Sequence, residues 1–140
     1  MKTTYDTLQQ RVQYCKDTFG PAKEIRLTRF GDLDLVFEGW EMSTFDDALL
    51  KADRATVDVS TFFSVKGSYV GEIARHMPNR EGPDKPHVMK TKAEAFSTPQ
   101  QLLTWLKEDG RGWLGENSKV AWEEMCEKLP WLNESNAIRV

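Results

Sequence analysis

Tyr5, Leu8, Val12, Cys15 and Phe19 recur at steps of three and four residues, a spacing that lines apolar side chains along one stripe of an α-helix. Thr3 or Thr4 is placed to cap the start of this helix, and Gly20-Pro21 to end it. Glycine takes the left-handed turn at a helix end, and proline cannot continue the hydrogen-bond ladder. Gln9, Arg11, Gln13 and Lys16 fall on the opposite face, which is expected to meet water.

The apolar period then shortens to two residues, the mark of strands. Two are predicted, over 23–29 and 33–42. Opposing Ile25 to Phe37 and Leu27 to Leu35 keeps apolar side chains together and leaves Phe30-Gly31-Asp32 as a three-residue loop, with Gly31 free to take a positive φ. A two-residue loop would set Leu35 against Thr28 and Phe37 against Arg26, which mixes the faces. Ile25, Leu27, Leu33, Leu35 and Phe37 are therefore expected on a buried face. Arg26, Thr28, Asp34, Val36, Glu38, Trp40 and Met42 take the reverse face, and Trp40 and Met42 there need cover.

Residues 46–54 fit a short helix or a long loop equally well. A second hairpin follows, with Val57, Val59, Phe63 and Val65 on one face and a two-residue turn at Lys66-Gly67. That turn opposes Phe62 to Gly71 and Asp58 to Arg75. The proline-rich stretch 77–86 reads as an irregular loop, and 88–96 as a fifth strand. Thr98-Pro99-Gln100-Gln101 gives a cap, a first-turn proline and a capping-box glutamine for a helix ending near Gly110. A last helix begins near Asn117-Ser118, carries Val120, Ala121, Trp122, Met125, Cys126 and Leu129, and stops at Pro130; the tail from Trp131 is expected to fray. These elements predict an α+β fold: an N-terminal helix, an antiparallel sheet of four to five strands (two hairpins plus one strand), and two C-terminal helices packed on one face. One globular domain is expected over 1–140.

Composition narrows the function classes. With 39% hydrophobic and 29% charged residues in 140, the chain can bury a core without metal or disulfides. A net charge of −3, from 22 acidic and 19 basic residues spread evenly, provides no basic stripe for a phosphate backbone. Nucleic-acid binding is disfavoured; Arg80, Lys85, Lys90 and Lys92 are the one local patch. Cys15 and Cys126 read as buried free thiols of a reducing compartment. The start of the chain has no apolar leader, and no run is long enough to cross a membrane, so the expected location is cytoplasmic.

No motif supplies a catalytic set. Gly110-Arg111-Gly112-Trp113-Leu114-Gly115 matches the dinucleotide fingerprint in letters only, because it follows a helix and no βαβ unit surrounds it. His76 and His87 flank the proline-rich loop without metal-ligand spacing. Asp32, Asp34 and Glu38 share a polar strand face with Arg26. The tryptophans remain, four of the five between Trp105 and Trp131. Trp105 and Trp122 occupy helix core positions; Trp113 in the glycine-rich link and Trp131 after Pro130 have weaker structural reasons, and exposed tryptophan is typical of interface anchors.

The sequence therefore predicts a non-catalytic intracellular protein-interaction module, of the kind of a small bacterial or phage accessory protein. It would work through a protein partner or self-association, with Trp113, Trp131, Trp40 and Arg111 as its contact surface and no cofactor or metal. The competing expectation is a small-molecule-binding protein or modest enzyme with a pocket between sheet and helices. Asp34, Glu38, His76 and His87 would then supply its polar groups.

Overall fold

Five strands and three helices form in the order α1 (Leu8–Phe19), β1 (Lys23–Leu27), β2 (Leu35–Phe45), β3 (Thr56–Ser64), β4 (Tyr69–Met77), β5 (Val88–Phe96), α2 (Pro99–Asp109) and α3 (Glu116–Lys128). The computed structural model describes residues 5–45, 56–77, 88–109 and 112–132. The strands make one antiparallel sheet in sequence order, so the expected α+β architecture is the one observed. Residues 46–54 lie outside the described segments.

The first two helices start where a side chain satisfies an early amide. Thr7 caps α1 and forms a reciprocal box with Gln10, whose side-chain oxygen accepts from the Thr7 amide at 3.0 Å. The cap is therefore later than Thr3 or Thr4, which lie outside the described residues, as the short-range box decides. At α2 the anticipated box is present: the Gln101 amide donates to Thr98 Oγ1 at 3.2 Å. Gly115 caps α3 without a side-chain bond.

All three helices lie on one face of the sheet. Cys15 of α1, Leu102 and Leu106 of α2, and Ala121, Trp122, Met125 and Cys126 of α3 pack against Trp40, Met42, Val59, Phe63, Tyr69 and Ile73. Gly71 makes room for α2: a Cβ there would come within 2.7 Å of both Leu102 and Trp105. Asp109, at the end of α2, accepts from both Arg75 and Lys92 of the sheet at 2.6–2.8 Å. Burial opposes its charge, but these two cations outweigh that and hold its carboxyl below the usual range. The tail does not fray at Trp131, because Leu132 is buried in the same core and Pro130–Leu132 closes with a turn onto Leu129.

The first hairpin has the predicted register, Ile25 opposite Phe37 and Leu27 opposite Leu35, and Gly31 has φ +74°. Leu33 departs from the expected buried face. Pairing ends at Leu27 and Leu35, and the broader loop turns Leu33 out until it is 80% exposed. Its amide donates to Asp32 and its carbonyl accepts from Arg29, so local polar bonds dictate the loop.

The second hairpin is shifted by one residue from the predicted register. Phe62 opposes Val70 and Asp58 opposes Ala74, not Gly71 and Arg75. The loop has three residues, Val65-Lys66-Gly67. The Gly67 amide donates to the Ser64 carbonyl at 2.9 Å, Gly67 takes φ +87°, and the Ser64 amide donates to the Ser68 carbonyl at 3.0 Å. Ser64 Oγ reinforces this by accepting from the Ser68 amide. A type I turn followed by a left-handed glycine fits the strand twist as well as a two-residue turn does, and the serine decides between them.

The sheet curls. β2 serves two neighbours in succession, β1 over 35–39 and β3 over 39–45, with an irregularity between Glu41 and Ser43. Both Met42 and Ser43 consequently lie on the helix side, where Ser43 Oγ donates to the Ala121 carbonyl. The β1–β2 hairpin thereby swings across the far face of the sheet, and the Phe30 amide reaches the Thr91 carbonyl of β5 at 2.7 Å. Inside the curl Leu27, Phe62, Val70 and Ala93 form a second, smaller core, rimmed by Ile25, Leu35 and Phe37.

Candidate functional site

The tryptophans divide sharply. Trp40 is 5% exposed, stacks near Phe63 and donates its indole N–H to the Gly20 carbonyl at 2.8 Å. Trp131 donates to the Tyr69 hydroxyl at 2.8 Å, lies against Tyr5, Tyr14 and Phe63, and carries the Arg11 guanidinium 5.3 Å above its ring. Trp122 is buried, and Trp105 lies against Phe96 and Lys92. Trp113 alone among them stands out, 78% exposed on the link between α2 and α3. The expected contact surface of Trp113, Trp131, Trp40 and Arg111 is therefore not one continuous patch. Trp40 and Trp131 tie α1 and the chain end to the sheet, and Arg111 lies outside the described residues.

The three described groups of the expected pocket, Asp34, Glu38 and His76, are likewise scattered. Asp34 pairs with Arg26 at 3.1 Å on the β1–β2 hairpin. Glu38 lies at the opposite end of the curl from His76, whose Nε2 is 2.8 Å from Asp58 Oδ2. His87 lies outside the described residues. The layer between sheet and helices is filled by the larger core. Of the basic patch, Lys90 covers the Phe30 ring and Lys92 binds Asp109, while Arg80 and Lys85 lie outside the described residues.

One cluster inside the curl escaped the sequence. Asp58 and Ser60 of β3 share the concave face with Glu72 and His76 of β4, and Thr44 Oγ1 is 2.9 Å from Ser60 Oγ. The Glu72 carboxyl is pushed up, first by burial and then by the fields of Glu41 and Asp58. The Glu72 carboxyl shares this face with the His76–Asp58 couple, whose Nε2 and Oδ2 are 2.8 Å apart. Only the correct register brings these residues together, and the one-residue shift concealed them.

Because folding raises the Glu72 pKa, its contribution to stability is fully present below its unfolded value and is lost as pH rises through the folded one. Glu72→Gln is thus expected to raise the melting temperature at pH 7, with the gain vanishing on acidification toward the ordinary glutamate range. Melting curves of both proteins across pH check this; a gain independent of pH would contradict it.

Cys15 and Cys126 are buried free thiols. Burial pushes both thiols up to about 12, Glu123 and Glu127 adding to the effect at Cys126. Among the described residues no group of three or more His, Cys, Asp or Glu side chains is arranged to hold a metal ion. No described helix is long and apolar enough to cross a membrane. The chain matches no protein-family model, no curated protein and no solved structure.

A cavity of about 500 Å³ opens at the other end of the curl, where β2 parts from β3 beyond Gly39. Glu24, Leu35, Phe37, Glu38, Lys66 and Val70 are among the residues that line it. Glu38 was singled out in the sequence; Glu24 and Lys66 were not, because nothing in their spacing reveals that the β3–β4 turn folds beside the first hairpin.

Proposed function

We propose that the protein is a non-catalytic intracellular protein-interaction module, in the manner of a small bacterial or phage accessory protein, and that Trp113 is its anchor. The observation that carries this reading is the 78% exposure of Trp113 in a chain whose other indoles are engaged in packing. A large rigid ring left in water gains much apolar burial on docking, at little rotamer cost. Gly112, at φ +97°, and Gly115 flank it closely and hold it off the helices, and half-exposed Val120 follows one turn into α3. Two buried free cysteines support an intracellular setting.

Trp113→Ala is expected to weaken partner binding or self-association by roughly 30-fold or more, the range of an anchor residue, while the melting temperature stays close to that of the parent. The check is cross-linked capture from the native cell with both proteins in parallel, and light scattering on each. An unchanged set of captured proteins together with an unchanged mass would overturn this reading.

A further inference from the structure

We propose that the outer face of α3, together with Trp113 before it, docks a basic helical segment of another protein, one that sets lysine or arginine beside one or two apolar side chains. This rests on the reading of Trp113 as an anchor and adds the chemistry of what the anchor meets.

The face follows from helical spacing. Ser118, Ala121, Trp122, Met125 and Cys126 are the buried side of α3. At about 3.6 residues per turn the line opposite them runs through Glu116, Val120, Glu123 and Glu127. Three of its positions are carboxylates and none is a cation. The lysines of the helix stand to either side, Lys119 3.9 Å from Glu123 and Lys128 3.1 Å from Glu124. Among the described residues no ion pair uses Glu116 or Glu127.

Apolar surface accompanies the charge. Trp113 is 78% exposed and Val120, on the acidic line itself, 41%. Trp113 precedes Glu116 by three residues, which keeps their Cα atoms within about 11 Å. A partner resting on Trp113 therefore reaches the first turn of α3, and a helix of about 18 residues covers the distance to Glu127.

The charge pattern works against the isolated helix. Glu123 and Glu127 are like charges one turn apart, which weakens a helix. Glu127 also sits in the last turn, where the helix dipole disfavours an anion. Cations laid on this face remove both penalties. The same charge selects the occupant: a second copy would set these glutamates against their own counterparts in a chain of net charge −3, and nucleic acid or an anionic lipid surface would be repelled. A basic segment is attracted, and its apolar side chains cover Trp113 and Val120.

The test uses three peptides of about 18 residues that share one amphipathic leucine pattern and carry lysine, glutamine or glutamate at the outer positions. Each is titrated into the full chain while the indole N–H signal of Trp113, assigned by its loss in Trp113→Ala, is followed by NMR. The lysine peptide is expected to move that signal and to bind at least about tenfold more tightly than the glutamine peptide at low salt, the difference shrinking at about 0.5 M salt. Glu116→Gln with Glu123→Gln and Glu127→Gln should erase the lysine preference, keep the glutamine peptide as it was and leave the circular dichroism spectrum unchanged. Glu127→Lys alone should weaken the lysine peptide, and Trp113→Ala should weaken lysine and glutamine peptides alike. Light scattering should give the mass of a single chain. Equal binding of the three peptides, no binding of any, or a lysine preference that persists in the triple variant would overturn the proposal; the anchor reading outlives that result if Trp113→Ala still changes the proteins captured from the cell. A dimer dissociated by Trp113→Ala would likewise remove the basic partner and keep the anchor. Lysine-peptide binding untouched by Trp113→Ala would overturn the proposal, and with an unchanged capture the anchor reading as well.

Discussion

Gly39→Val is expected to abolish the folded protein, and Gly39→Ala to cost about 3 kcal/mol or more. A Cβ on Gly39 would overlap the Phe63 carbonyl oxygen and come within 2.8 Å of the Ser64 Cα. Those atoms are backbone and cannot rotate aside as a side chain would. Overpacking a rigid site costs about 1–3 kcal/mol and sometimes more, against a total stability of roughly 5–15 kcal/mol for a domain. Gly39 is also the residue at which β2 passes from β1 to β3, so any outward shift separates the first hairpin from the rest of the sheet and empties the second core. Gly31→Ala is the control. It has φ +74° but open space around it, and should cost only about 1–2 kcal/mol for the left-handed backbone. Urea denaturation of the three variants gives the ranking directly; an alanine at Gly39 tolerated as well as one at Gly31 would mean that the two strands do not approach so closely.

That glycine also marks where the sequence stops being readable. The α1 stripe from Val12 to Phe19, the register of the first hairpin and the box that opens α2 all rest on near neighbours in the chain, and each is present as the pattern implies, whereas Leu8 at the head of the stripe is 44% exposed and Tyr5 precedes the helix. The second hairpin was misplaced by one residue because the decisive group, Ser64 Oγ, acts through a side-chain bond that apolar alternation does not register. Curling is further out of reach. It depends on the near contact of Gly39 with Phe63 and on the irregularity at Glu41–Ser43, and neither leaves a periodic trace. The concave cluster of Asp58, Glu72 and His76 and the cavity between Glu38 and Lys66 are consequences of that curl and of the register. Their residues were visible one by one, and their meeting was not. Leu33 shows the reverse error: its alternation was sound, but pairing had already ended two residues away.

Trp131→Ala is expected to cost about 3 kcal/mol, the lower end of the range for deleting a large aromatic side chain, since part of the ring remains in contact with solvent. The loss should be shared among elements distant in sequence. The ring joins Tyr5 before α1, Tyr14 within it and Phe63 of β3, and its N–H holds the Tyr69 hydroxyl of β4. Removing it therefore loosens α1 from the sheet, and hydrogen exchange should quicken in α1 more than in β3. Trp131→Phe separates packing from polarity. It keeps most of the ring contact but leaves the Tyr69 oxygen without its donor, for a cost nearer 1 kcal/mol. Tyr69 then reports on the change. Burial already pushes its hydroxyl up, while the Trp131 bond and the Arg11 charge pull it down, so loss of the donor should move its titration higher still. A partner-facing Trp131 would behave otherwise, with stability and Tyr69 titration untouched and only association weakened. The two substitutions thus measure how much Trp131 contributes to the fold, a quantity that Trp113→Ala does not address.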